Sequence, residues 1–421
     1  MFGFNRSARV KADVKIRPIM NTETPSQKEL NAGPADSPAD ISTFERLGVP
    51  ANLVAALAKQ DITVPTAIQA AAIPELLAGK DLYLHAQTGT GKTLAYLLPL
   101  FCKIEEGLAA TQAIIVAPTH ELAIQIQHLC VLLSQQSGIA MRTLLLIGGT
   151  SRERQLEKLK KKPQLVVGSP GRILELIQEG KLQTKAIKSI VVDEADRLMD
   201  GEGFGEIKEL IRRAPVKRQL IFASATQSAE VLESLQGLVP ALTTTQITDS
   251  PVTSNIEHFY LRCDERDKAI LLVDLLLVMK PARALVFVHR NETAMSVTDR
   301  LENYNLTAAD LHGAYHKEER KLAMDEFRSG KVPILLASDI AARGLDIKGI
   351  THVINLDLPR ESSGYLHRIG RTGRAGAQGI AISLITDQQR RIIREFEQEL
   401  KITVVELCLR NKALHEVARD R

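Results

Sequence analysis

Short, continuous apolar runs alternate with helix-period segments along most of this chain, and that alternation restricts its fold more than any other feature. AIIVA (113–117), RTLLLI (142–147), QLVVG (164–168), SIVVD (189–193) and QLIFA (219–223) are strand-like runs, and segments such as ELAIQIQHLCVLLSQQ (121–136) carry the helical period between them. Strands apolar along their whole length are buried on both faces, which is the signature of a parallel sheet covered by helices. The rhythm breaks at TTTQITDSPVTSN (243–255) and resumes with HFYLRC (258–263), RALVFVH (283–289), ILLAS (334–338), HVINLD (352–357) and GIAISLI (379–385). The reading is therefore an α/β protein with two tandem domains and parallel β-sheets flanked by helices. Its expected organisation is a flexible N-terminal tail over 1–43, rich in Pro, Ser, Thr, Asn and Asp, a first domain over 44–248, a linker over 249–255, a second domain over 256–395, and a terminal helix or short extension over 396–421.

Composition narrows the function. With 44% hydrophobic and 25% charged residues the chain is of the globular, water-soluble type, and 54 basic less 50 acidic residues give +4, too small for a broad basic field. A nucleic-acid surface would have to be local. Ten Phe, six Tyr and no Trp argue against a reader of single strands built on aromatic stacking. Cys102, Cys130, Cys263 and Cys408 form no C-x-x-C pair, which removes zinc and redox-motif readings and fits a reducing, cytoplasmic setting. LLVDLLLVM (271–279) is too short to span a bilayer, so no membrane association is expected. The basic FGFNRSARVKADVKIR (2–17) offers a mitochondrial presequence as the alternative, although Asp13 and Pro18 interrupt it as an amphipathic helix.

Three segments carry chemistry. AQTGTGKT (86–93) lies between the strand-like DLYLH and the helical LAYLLPLF. Gly89 and Gly91 let backbone N–H groups curl around phosphates at a helix N-terminus, and Ala86, Gln87, Thr88 and Thr90 complete the cradle. Lys92 reaches the β and γ phosphates and Thr93 ligates Mg²⁺. A G-K-T tripeptide alone is also a common helix-capping turn; the strand–loop–helix setting selects the phosphate reading. DEAD (193–196) closes the strand SIVV, so Asp193 stands where a carboxylate holds the nucleotide's Mg²⁺, directly or through a water, and Glu194 can orient or deprotonate the attacking water. By itself the tetrapeptide suits a helix cap better; the phosphate loop about 100 residues upstream selects the catalytic reading. HRIGRTGR (367–374) sets Arg371 and Arg374 three residues apart, two guanidinium forks suited to the charge of a transferring phosphoryl group, against the plainer reading of a surface basic patch.

In these motifs the chain resembles the DEAD-box ATP-dependent RNA helicases of superfamily 2, over residues 44 to about 386. Phe44 and PTAIQ (65–69) are similar to the family's Q motif, which implies that Gln69 reads the adenine edge and that Phe44 belongs to the nucleotide-binding residues. Ser224 and Thr226 of SAT, with His367, would couple the nucleotide site to RNA. Pro118, Thr119, Gly149, Ser169 and Arg172 match the first domain's RNA-backbone contacts, and Arg320 and Ser338 match the second domain's. Gly344 and Asp346, in SDIAARGLDI (338–347), match nucleotide contacts. The resemblance implies two RecA-like domains, ATP and Mg²⁺ as cofactors, and RNA as partner, held mainly by its backbone as a single strand or short duplex. It implies RNA-stimulated ATP hydrolysis coupled to local unwinding or RNA–protein remodelling. The alternatives are an ATP-gated clamp that unwinds little and, less in keeping with the motif set, a DNA translocase. A monomer is expected, with ribonucleoprotein or decay-complex partners. Departures from the family pattern are His120 in place of Arg, Asp61–Ile62 in place of a Gly–aromatic pair, Lys317 in place of Gln, and Ser169 and Ser338 in place of Thr. The His120 exchange removes a permanent charge near RNA phosphates.

Overall fold

The computed structural model describes residues 10–13, 43–86, 89–199, 202–226, 229–246, 255–311, 317–342, 347, 349–373 and 377–417. They fall into two compact units that divide between Ser250 and Pro251. Sixteen strands are found among them. A first, β1 (Val10–Asp13), stands apart from the following run of β2 (Leu82–His85), β3 (Ala113–Val116), β4 (Thr143–Leu146), β5 (Leu165–Gly168), β6 (Ser189–Asp193), β7 (Gln219–Ser224) and β8 (Thr243–Gln246). β2 to β8 form one seven-stranded sheet in the order β4-β5-β3-β6-β7-β2-β8, every pair parallel. The apolar runs read as strands are these strands. β3, β5, β6 and β7 are buried at every position, as a sheet covered on both faces requires. One layer, including the helices Lys92–Lys103 and His120–Ser137, buries Leu94, Leu97, Leu98, Ile126 and Leu133; the other packs Ile173, Ile177, Ile207 and Leu210 against the opposite face.

The second unit contains β9 (Ile256–Arg262), β10 (Ala284–Phe287), β11 (Ala308–Asp310), β12 (Ile334–Ala337), β13 (His352–Asn355), β14 (Gly379–Ile385), β15 (Val404–Arg410) and β16 (Ala413–Val417). Its sheet runs β1-β16-β15-β9-β14-β13-β10-β12-β11, parallel from β15 to β11. Two expectations change here. The segment from 396 is not simply a terminal helix or extension: the helix Arg390–Leu400 is followed by the antiparallel hairpin β15–β16, which widens the sheet through β9. Asn411 and Lys412 turn it with φ of +51° and +57°, the left-handed pair that a two-residue hairpin loop needs. Asn-Lys is a weak form of that signal, which is why periodicity alone missed it. The 1–43 segment, expected as a tail, supplies β1, antiparallel to β16 with Val10 opposite Val417. The linker expected over 249–255 lies, apart from Asn255, outside the described residues.

At the end of β5 a Cβ on Gly168 would stand 1.9 Å from the Leu146 carbonyl oxygen of β4. Gly168→Ala therefore has to push these paired strands apart, at about 1–3 kcal/mol for overpacking and more where backbone must move. A clear drop in the midpoint of thermal unfolding, read by circular dichroism, is the expected outcome.

Candidate active site

Strand order gathers the motifs. β2, β7 and β6 are neighbours in register, with His85 opposite Ser224 and Asp193 opposite Ala223. Their carboxyl ends lead into the glycine-rich loop, the Ser224–Thr226 segment and Asp193–Asp196, so three segments from distant parts of the chain share one stretch of sheet edge, where open α/β sheets bind ligands.

The loop ends at Gly91, in a left-handed conformation (φ +92°), at the N-cap of the helix Lys92–Lys103. Gly89 is also left-handed, with φ +81°. Gly91 has a second constraint, since a Cβ there would stand 2.4 Å from the Gln69 amide nitrogen. Gln69 is buried, its amide donates to the Gly91 carbonyl at 3.1 Å, and its oxygen accepts from the Thr66 backbone N–H at 2.9 Å in a capping box on the helix Ala67–Leu77. The residue expected to read a base thus also braces the phosphate loop. Phe44 is placed otherwise than the motif match implied: it is fully buried in the first unit's core, so its ring has no face left for a base and acts by anchoring the turn at 43–49. Asp61 fills the family's glycine position with φ +61°, a region Asp tolerates better than most residues, and Ile62 packs on the same core. Ala86 is buried and its N–H donates to the Ser224 carbonyl, while Lys92 Nζ bonds the Ala86 carbonyl. Gln87 and Thr88 lie outside the described residues.

Asp193 is almost wholly buried. Its Oδ1 accepts the Glu194 N–H at 2.9 Å and its Oδ2 the Tyr96 hydroxyl at 2.8 Å. Burial, followed by the like charge of Glu194, pushes the Asp193 carboxyl above its usual range against the pull of Tyr96 and Lys92. Burial likewise lowers Lys92, against the attraction of Asp193. Glu194 holds a left-handed backbone (φ +48°, ψ 51°), a strained conformation for a residue with a Cβ, and its carboxylate pairs with Arg197 at 3.1 Å. Asp196 accepts the Thr226 N–H at 3.1 Å and the Thr226 hydroxyl, Ser224 Oγ donates to the Thr226 carbonyl at 2.6 Å, and Tyr83 donates to the same carbonyl at 3.1 Å. The Ser224–Thr226 segment is therefore hydrogen-bonded to the acidic motif.

The same sheet edge continues into the segments matched to RNA contacts. Pro118–Thr119 follow β3, Gly148–Gly149 follow β4 and Ser169–Arg172 follow β5, and these three strands are adjacent. Thr119 caps the helix His120–Ser137 by accepting the Leu122 N–H, and Ser169 begins the helix Pro170–Gln178, so two helix N-termini face this edge. His120 is exposed, its ring 3.6 Å from where a Cβ on Gly148 would lie. Arg172 pairs with Glu175 at 2.9 Å.

In the second unit the carboxyl ends of β13, β10 and β12 carry Asp357, His289 and Asp339, and sequence reasoning missed the residue that joins them. Arg368, from the helix Ser362–Ile369, is 2% exposed and makes a two-pronged bond to Asp339 with both contacts at 2.6 Å. It also donates to Asn355 Oδ1 and the Asp357 carbonyl, and its guanidinium lies 4.7 Å from the centre of the Phe287 ring. The available signal was that the first arginine of HRIGRTGR follows a carboxylate-bearing strand end by a helix. Arg371 is buried and donates to the carbonyl of His367, itself buried; Arg320 donates to the Ala341 carbonyl, and Ser338 accepts the Ala341 N–H, so these two meet on one short helix, Asp339–Ala342. Arg374, Gly344, Asp346 and the side chain of Lys317 lie outside the described residues.

Parallel sheets with a phosphate loop after β2 and a carboxylate closing β6 define the first unit as a RecA-like ATPase domain, and the second is a RecA-like domain without that loop. The model of the DEAD/DEAH box helicase family matches residues 66–235, and that of the helicase conserved C-terminal domain matches 267–376. The chain is 41% identical over 337 residues to the DEAD-box ATP-dependent RNA helicase CshC of Bacillus cereus, across 80% of this chain and 86% of that protein. It is 38% identical over 381 residues to the RNA helicase CrhR of Synechocystis, across 90% and 77%. Dbp5 of S. cerevisiae bound to RNA and ADP BeF3 is similar in structure, with a TM-score of 0.77 and 29% identity over 86% of this chain and 95% of that one. The chain belongs to the DEAD-box ATP-dependent RNA helicase family.

Hydrogen bonds to Asp339 and then Asp357 raise His289 to about 9, above its ordinary value near 6.5. Burial works to raise Asp339, but its bonds to His289 and Arg368 win and hold it well below the carboxylate range. A raised His stabilises fully below its unfolded value and loses that contribution as pH climbs to its folded one. Wild type should therefore lose more thermal stability between about pH 6.5 and 9 than His289→Asn, by a modest margin because the ring is half exposed to screening solvent. Melting curves of the two full-length proteins across that range check this.

Proposed function

We propose that the chain is an RNA-stimulated, Mg²⁺-dependent ATPase that separates short RNA duplexes or remodels RNA–protein complexes. The observation that carries this reading is the single carboxyl edge of the first sheet, with the phosphate loop, Asp193 and Ser224–Thr226 on β2, β6 and β7, and the Thr119, Gly149 and Ser169 segments on β3, β4 and β5. Phosphate backbones suit that second half, which offers helix N-termini and hydroxyls rather than stacking rings. The hard oxygen donors of Thr93 and Asp193 fit Mg²⁺, which supplies charge neutralisation for the phosphates when bound. In this reading Lys92 binds the β and γ phosphates, Gln69 and Gly91 orient the loop, and the Glu194 carboxylate positions and deprotonates water. Thr226, bonded to Asp196, relays a change there toward the RNA side. The named activities of CshC and CrhR support the assignment. Four free thiols are in keeping with a cytoplasmic setting.

Replacing Glu194 by Gln keeps size and hydrogen bonding but removes the base. The variant should bind a fluorescent ATP analogue within about twofold of wild type while turnover falls about 10²- to 10⁴-fold; normal turnover would take Glu194 out of the mechanism. Duplex separation measured beside ATP turnover tests the remainder, since turnover without strand separation would indicate a clamp. At the RNA edge, His120→Arg should tighten RNA binding and steepen its salt dependence, because one more phosphate contact releases more counterion. An unchanged slope in titrations at several salt concentrations would show that position 120 does not face RNA.

A further inference from the structure

Tyr96 is one of the bulkiest side chains in the protein to be fully buried, and it carries the one hydroxyl in the apolar stretch LAYLLPLF of its helix. It follows Thr93 by three residues on Lys92–Lys103, a spacing that puts both on one face of the helix, toward β6. A phenyl ring would fill the same space, and a buried hydroxyl is costly unless it is hydrogen-bonded, so the oxygen's contribution lies in its partners. Its partner belongs to the nucleotide site: the O–H donates to Asp193 Oδ2 at 2.8 Å. With the Glu194 N–H on Oδ1, each oxygen of the buried Asp193 carboxylate has one fixed donor and the carboxylate plane is set.

We infer that Tyr96 is a positioning residue of the ATP site, a phenol that holds the Asp193 carboxylate in the orientation that receives Mg²⁺-nucleotide. This rests on the reading of Thr93 and Asp193 given above. Groups that orient metal-binding ligands from behind typically change metal affinity about 10- to 100-fold when lost. Burial and the charge of Asp193 keep the phenol protonated well above its ordinary range, so it remains a donor throughout the working pH range.

The test is Tyr96→Phe in the full chain, read by equilibrium binding of fluorescent ADP at increasing Mg²⁺. The variant should need about 10-fold more Mg²⁺ for half-maximal tightening, while its affinity for ADP in EDTA stays within about twofold of wild type. In steady state the apparent KM for Mg²⁺ should rise by more than kcat falls. Tyr365→Phe removes another fully buried tyrosine hydroxyl, in the other unit, and should leave the Mg²⁺ dependence where it is. A Mg²⁺ requirement in Tyr96→Phe equal to or lower than wild type overturns the inference. If wild type itself shows neither Mg²⁺-dependent tightening nor ATP turnover, it is the proposed function that fails. Should Tyr96→Phe not fold, 3-fluorotyrosine placed at position 96 alone reports on the same bond. Its ¹⁹F resonance should move with ADP plus Mg²⁺ beyond its position with ADP alone, and coincidence of the two spectra overturns the inference.

Discussion

A parallel sheet delivers the carboxyl end of every strand to the same edge, and the rest of this molecule's chemistry depends on that constraint. In the first unit the order β4-β5-β3-β6-β7-β2 divides the edge into two contiguous halves, with the boundary between β3 and β6. Lys92 and Asp193 are about a hundred residues apart in the chain, yet their strands are separated only by β7. Register makes the placement exact to the residue: a slip of one position in β6 would turn Asp193 to the opposite face and bring an aliphatic neighbour in its place. Every position of β6 and β7 is buried, so each face of these strands packs on its own apolar layer.

The central position of β7 has a mechanical consequence. Its carboxyl end leads into Ser224–Thr226, which lies between the acidic motif and the phosphate loop and is bonded to both: Thr226 to Asp196, and the Ser224 carbonyl to the Ala86 N–H. Hydrogen bonds thus join the loop, the Ser224–Thr226 segment and the acidic motif into one network, and Glu194, with its left-handed backbone, lies within that motif.

Legibility in the sequence followed burial and the locality of each signal. SIVVD and QLIFA were readable as strands because nothing polar interrupts them, and the phosphate loop because its glycines, lysine and threonine are adjacent. Arg368 was not readable, although it lies inside a recognised motif: its partners, Asp339 after one strand and Asn355 and Asp357 at the end of another, come from two other segments that only the sheet order brings together. Tyr96 was hidden for a related reason, since a tyrosine in an apolar helix looks like core until its oxygen is seen against β6. Phe44 shows the converse, a motif match whose side chain is core. The β15–β16 hairpin turns on an Asn-Lys pair without glycine, and no local pattern announces it.

Burial also explains where the chain departs from its family's pattern. On the nucleotide half of the edge, Gln69, Asp193 and Ser224 are buried and each is hydrogen-bonded to a neighbouring group, so exchanging one leaves a buried polar group without a partner, at about 1–3 kcal/mol and more where it is charged. His120 stands in the open beside Gly148, and exchanging arginine for imidazole there strands no buried group. Ser169 for Thr removes a methyl group and keeps the hydroxyl at the start of its helix. The edge that carries His120 and Ser169 can therefore vary without stranding a buried group, while Gln69, Asp193 and Ser224 are each held by hydrogen bonds to one geometry.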